Sequence, residues 1–253
     1  MSITSLRTRS AVPPRCKRRN GNGFSGAVGG ASRRAAAAAP PSADKPLDPK
    51  SSLPEDPRVL EGMSPRQEVW NALSMLVPSL VVLLLWVYPP TSSYRGPRTA
   101  LILLGTAFHM PMSFLYHSLL AMRALPDAVD NVPRKLDQTF IHLTCVMTLW
   151  ALSTSYVYIA LGTALNVFFA ARLWSPTSTL AERMINIGAG VWLYSWPVLL
   201  RGFHVEYAVG AAWLFTGAGA MVLRCGGWGH GIMHVCTGGL AYHFSLCAGY
   251  LQA

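Results

Sequence analysis

The chain has 253 residues, of which 51% are hydrophobic and only 13% charged, and its formal net charge is +10. Residues 1–50 hold ten Lys and Arg against two acidic residues, so most of the excess charge belongs to the amino-terminal fifth of the chain. A basic surface spread over a fold is excluded, no nucleic-acid partner is expected, and five cysteines without a CxxC spacing argue against a disulfide framework.

Residues 1–66 read as a disordered basic tail, rich in Arg, Ser, Ala, Gly and Pro, with no acid before Asp44. An Arg- and Ser-rich, acid-poor amino terminus is the pattern of a plastid or mitochondrial transit peptide. It is equally the pattern of a flexible arm resting on anionic lipid. The membrane is otherwise that of the endoplasmic reticulum, Golgi or cell surface. Gly23-Phe24-Ser25-Gly26 resembles a GxSG nucleophile turn, but a Gly/Arg-rich tail cannot hold a serine rigidly.

The remainder, residues 67–253, reads as one membrane domain. A helix crossing the hydrocarbon needs about 20 mainly apolar residues. The first candidate runs from Glu68 to Tyr88 and ends at Pro89-Pro90, and the second runs from Thr99 to Met122. A polar loop with Pro126, Asp127, Asp130 and Pro133 follows. The stretch from Leu136 to Trp174 is apolar for 39 residues, which suits two spans with a turn near Ser153–Tyr156. Further spans are expected over Leu180–Leu200, Glu206–Leu223 and Gly229–Leu251. The expected fold is all-α, a seven-transmembrane helical bundle. With the tail on one side, that side also receives Arg123, Arg134, Lys135, Arg172, Arg183 and Arg224, against Arg95, Arg98 and Arg201 opposite. This bias places the amino terminus inside.

Ionisable side chains inside spans are costly and mark function or a partner. In span two, His109, Ser113 and His117 recur every four residues and share one stripe. Asp137 opens span three, and His230 and His234 form an HxxxH pair at the start of span seven. Spans two, three and seven bring Ser113, His117, Asp137, His230 and His234 to a similar inner-facing level. Three neutral imidazoles and an open position describe a catalytic zinc site, in which metal-bound water is the nucleophile at neutral pH. Asp137 could then accept and return the proton, and Ser113 could bond the water or a developing oxyanion. Taken singly, each group has a plainer explanation. HxxxH can be an interhelical hydrogen-bonding pair, Ser113 a packing residue, and Asp137 a helix cap. His109, beside Pro111, reads as a packing or cavity-lining residue, and His142 as turned away from Asp137. His243 reads as lying on the far side of span seven, and His204 as lying in an outer loop.

Ser113-Phe114-Leu115-Tyr116-His117, then Asp137, then His230-Gly231-Ile232-Met233-His234 resembles the signature of the CREST superfamily of seven-span membrane hydrolases. That group includes the alkaline ceramidases, the progestin and adipoQ receptors and the Per-like proteins. The resemblance covers residues 68–251. It implies zinc (Zn2+) on His117, His230 and His234, with Asp137 and Ser113 holding the water. Arg134-Lys135-Leu136-Asp137 looks most like the receptor and haemolysin-III branch. The implied function is a zinc-dependent lipid hydrolase cleaving an amide or ester of a membrane lipid substrate such as ceramide. The alternative is an adiponectin- or progestin-receptor-like receptor or scaffold with structural zinc. A proton-coupled transporter would also use intramembrane His and Asp, although no internal repeat is evident. A di-iron desaturase needs about eight histidines with adjacent pairs, and this chain has seven and no such pair.

Overall fold

A computed structural model describes residues 63–125, 130–223 and 225–252. Nearly all of the basic tail, with Cys16 and the Gly23–Gly26 segment, lies outside these residues, as do Asp127 and Arg224. The regular elements among the described residues are all helical. They are α1 (Pro65–Ser74), α2 (Leu76–Val87), α3 (Pro97–Ala121), α4 (Val132–Leu152), α5 (Tyr156–Leu173), α6 (Leu180–Leu200), α7 (His204–Val222) and α8 (Gly229–Tyr250).

The local chemistry explains most boundaries. Ser64 caps α1 in a reciprocal capping box with Gln67, and Pro65 supplies the first turn. Helix formation therefore begins inside the last residues assigned to the tail. The first apolar segment is one run in sequence but is interrupted at Met75. Pro78 has no amide hydrogen and its ring crowds the carbonyl of Ser74, four residues back, which is where α1 ends. Asn131 caps α4 by accepting from the Arg134 amide over 2.8 Å. That assignment removes the capping explanation for Asp137, which sits more than a turn inside the helix. Ser155 and Thr179 cap α5 and α6 in the same manner. His204, expected in a loop, is the first residue of α7.

The exterior of the bundle is apolar where that of a water-soluble domain is polar, and several polar side chains are buried. Leu84, Val157, Ile185, Phe215 and Val222 point outward and are largely exposed, whereas Glu68, Asn71, His117, His142 and Asn166 are buried. Among the described residues, four helical segments are long and apolar enough to cross a membrane: Pro65–Val87 taken through the break, Pro97–Ala121, Tyr156–Leu173 and His204–Val222. The other three long helices, α4, α6 and α8, bury Asp137 and His142, Arg183, and His234 respectively.

Leu149, Leu152, Ile102, Val198, Leu240 and Phe244 form the shared apolar core. α8 packs along α7 and α2, and α3 packs along α4 and α1. Close approach of α7 to α8 depends on Gly217, where a Cβ would stand 3.1 Å from the Met233 Cα. The register of α3 against α4 is fixed by the Thr144 hydroxyl, which donates to the Gly105 carbonyl over 2.8 Å. Beyond the α3–α4 loop, Asp130 receives Lys135 at 2.7 Å and Arg183 at 3.4 Å, tying the loop to α6.

Candidate metal centre

The carboxyl-terminal turns of α3 and the first turns of α8 lie together at one end of the bundle, and α1 packs against both. His117 projects from α3, and His230 and His234 from α8. The three ring centroids are 4.5–5.5 Å apart, and one ligand nitrogen from each lies within 4.8 Å of the others. Tetrahedral Zn–N bonds of about 2.0–2.1 Å separate ligand nitrogens by roughly 3.3 Å. Small side-chain movements therefore close this trio on one ion.

The hydrogen bonds around the trio prepare its nitrogens for a metal. His117 Nδ1 donates to Glu68 Oε2 over 2.7 Å, which fixes the proton on Nδ1. Its Nε2 consequently carries a lone pair, and that atom is buried without a hydrogen-bond partner. Burying an unpartnered acceptor is costly unless something else binds it. His234 repeats the arrangement, with Nδ1 shared between the Asn71 carbonyl at 3.1 Å and the Ser74 hydroxyl at 2.9 Å. The Ser74 hydroxyl itself donates to the Asn71 carbonyl, so the ring supplies the hydrogen. A histidine whose second nitrogen is held by a carboxylate or carbonyl is the usual surrounding of a metal ligand. The donor set therefore fits a zinc ion.

Asp137 makes its hydrogen bonds to α3. Its Oδ1 accepts from His109 Nε2 over 2.9 Å, and the Ser113 hydroxyl donates to the same carboxylate. The α3–α4 register pairs Asp137 with the turn His109–Met112, roughly 8–12 Å deeper along α3 than His117. The expected gathering of Ser113, His117, Asp137, His230 and His234 takes the form of a three-histidine cluster, with Asp137 bound to α3 through His109 and Ser113. Side chains of both helices lean towards their own amino termini, so His117 leans inward and Asp137 leans back towards it.

Sequence reasoning missed four participants. Glu68, Asn71 and Ser74 recur every three residues on α1 and form a polar stripe in an otherwise apolar segment, which is a legible signal. His109, read as a packing residue, is the direct partner of Asp137. His142 does face elsewhere: its Nδ1 donates to Asn166 Oδ1 of α5 over 3.0 Å. Cys145, Cys225, Cys236 and Cys247 are all free thiols.

No protein-family model matches the chain, and no curated protein matches it in sequence.

Proposed function

We propose that this protein is a seven-span intramembrane hydrolase that uses zinc to cleave an amide or ester bond of a membrane lipid such as ceramide. One observation carries the reading: His117 and His234 each commit Nδ1 to a protein partner, which leaves Nε2 free beside His230. The likeness of the motif order to the CREST superfamily supports it, as do three imidazoles without a fourth protein ligand. Zinc held there supplies the Lewis acidity that activates a water at neutral pH.

The remaining chemistry falls to the protein. Asp137 takes the proton released from the attacking water and returns it to the departing amine or alcohol. Its carboxylate is aimed by His109 on one side and by Ser113 on the other. An apolar exterior allows a lipid to approach sideways from the bilayer.

The test is purification in detergent, measurement of bound zinc, and assays on ceramide and phospholipid for wild type, His234→Ala and Asp137→Ala. Zinc in the wild type, its loss in His234→Ala, and zinc retained without turnover in Asp137→Ala are the expected results. A wild-type protein without zinc overturns the metal assignment. Zinc without turnover on any lipid favours a receptor or scaffold with structural zinc.

A further inference from the structure

At the end of the bundle opposite the histidines lies a cleft of about 560 Å³. It is lined by Ser153, Thr154 and Ser155 of the α4–α5 turn, Tyr158 of α5, and Pro197, Leu200 and Arg201 at the end of α6. Sixteen residues of α4 separate Asp137 from Ser153, a distance of roughly 24 Å along the helix. The cleft is therefore independent of the metal centre and of its chemistry.

The side chains that line the cleft are neutral or basic. None of its lining residues is acidic. Arg201 is exposed at its rim, and among the described residues its guanidinium meets no carboxylate. The carbonyls of Ala151 and Ser153, which would otherwise give the turn a negative edge, are both occupied by Arg98 at 2.7 and 3.0 Å. With those acceptors consumed, the turn offers mainly donors. Ser153 is only 4% exposed. Its oxygen accepts from the Ser155 amide at 3.2 Å, and its hydroxyl hydrogen has no acceptor among the described residues. Thr154 is exposed beside it, and the amides of the first turn of α5 lie immediately beyond.

We propose that this cleft binds a phosphate group, with Arg201 pairing its charge and Ser153 and Thr154 donating to its oxygens. The apolar walls of Tyr158, Pro197 and Leu200 suit a glycerol backbone next to that phosphate, so a phospholipid of the leaflet facing away from the metal is the favoured source. The Tyr158 ring is held in place by donation of its hydroxyl to the Leu193 carbonyl over 2.7 Å. A guanidinium–phosphate pair combines charge with directed hydrogen bonds, which sets it apart from general attraction to a membrane surface.

The experiment is calorimetric titration of the full chain in a neutral detergent. The probes are dihexanoyl phosphatidic acid, dihexanoylglycerol and inorganic phosphate. Saturable binding of the phosphatidic acid, with none of dihexanoylglycerol, is expected. Arg201→Gln is expected to weaken it roughly tenfold or more, as loss of a charged hydrogen bond does. Arg201→Lys keeps the charge and is expected to recover part of the affinity, while Ser153→Ala weakens binding without changing zinc content. Inorganic phosphate binding as tightly as the lipid, and equally sensitive to Arg201→Gln, would assign the site to soluble phosphate. Equal affinity of wild type and Arg201→Gln for phosphatidic acid overturns the proposal, as does equal binding of dihexanoylglycerol.

Discussion

The contact between Glu68 and His117 offers the most direct measure of how the first helix serves the candidate metal centre. Glu68 is almost completely buried, and its Oε2 accepts from both His117 Nδ1 at 2.7 Å and Asn71 Nδ2 at 3.2 Å. Glu68→Ala removes both hydrogen bonds. It leaves the His117 ring free to rotate and to move its proton to Nε2, the nitrogen the metal requires. Groups in this position typically contribute 10–100-fold to metal affinity, or about 1.4–2.8 kcal/mol. Glu68→Gln retains a carbonyl that can accept from Nδ1 but loses the negative charge that strengthens the ligand. It should fall in the lower part of that range, near tenfold, with Glu68→Ala near a hundredfold.

The assay is equilibrium competition for zinc against a chromophoric chelator, using purified protein in one detergent at one pH. His117→Ala, lacking a ligand outright, marks the floor. Unfolding has to be separated from affinity, since an orphaned buried donor costs about 1–3 kcal/mol of stability by itself. Recording the helical circular dichroism of each variant at the temperature of the titration makes that separation. A folded Glu68→Ala protein that binds zinc as tightly as the wild type would refute the role assigned to α1. It would mean that His117 is held by packing alone.

Other predictions address the surroundings of Asp137, the interior and the loop. His109→Ala should leave zinc content unchanged and lower lipid hydrolysis at least tenfold, with partial rescue by His109→Gln. Equal initial rates for His109→Ala and wild type would detach His109 from Asp137 function. Gly190→Ala places a methyl group 2.7 Å from Asn166 Oδ1 and 3.3 Å from Cys145 Sγ, so overpacking of about 1–3 kcal/mol should lower the thermal midpoint in detergent. His142→Leu should do likewise, and the double variant with Asn166→Leu should be less harmful than the two single effects combined, because neither polar group is then left without its partner. Asp130 is held below the usual carboxylate range, first by its hydrogen bond from Lys135 and then by Arg183. Its folded-state value is the lower one, so the contact contributes above the unfolded value of about 3.9 and is lost as pH falls through the folded one. Asp130→Asn should therefore lower the thermal midpoint slightly at pH 7, with the difference shrinking as pH falls below the unfolded value.

Helix limits were legible because they are set within a few residues of sequence. α6 runs over the residues its apolar pattern marks, and the turn between α4 and α5 falls at Ser153–Ser155, where capping residues replace the apolar run. The interruption at Met75 was equally local, since Pro78 alone dictates it, yet it hides in a segment whose overall apolarity reads as one span. The candidate ligands were legible for a different reason. Imidazoles at spacing four share a helix face wherever that helix packs, so His230 and His234 needed no knowledge of neighbours.

What sequence could not supply was the relative height of the helices. Counting residues from each predicted membrane face assumes that the helix ends are level. On that assumption Asp137, near the start of α4, lies beside His117, near the end of α3. The Thr144–Gly105 hydrogen bond sets the register of α4 against α3, and in that register Asp137 meets His109. The same slip explains why His109 looked too deep to matter: it was measured against His117 on its own helix rather than against its true neighbour. Glu68 eluded recognition by the converse route, because a carboxylate at the edge of a span is ordinarily taken for an interfacial charge. Only the packing of α1 into the angle between α3 and α8 turns that edge inward. A site assembled from four helices thus displays its ligands in sequence and conceals its supports, since ligand spacing is a property of one helix and support is a property of registers between helices.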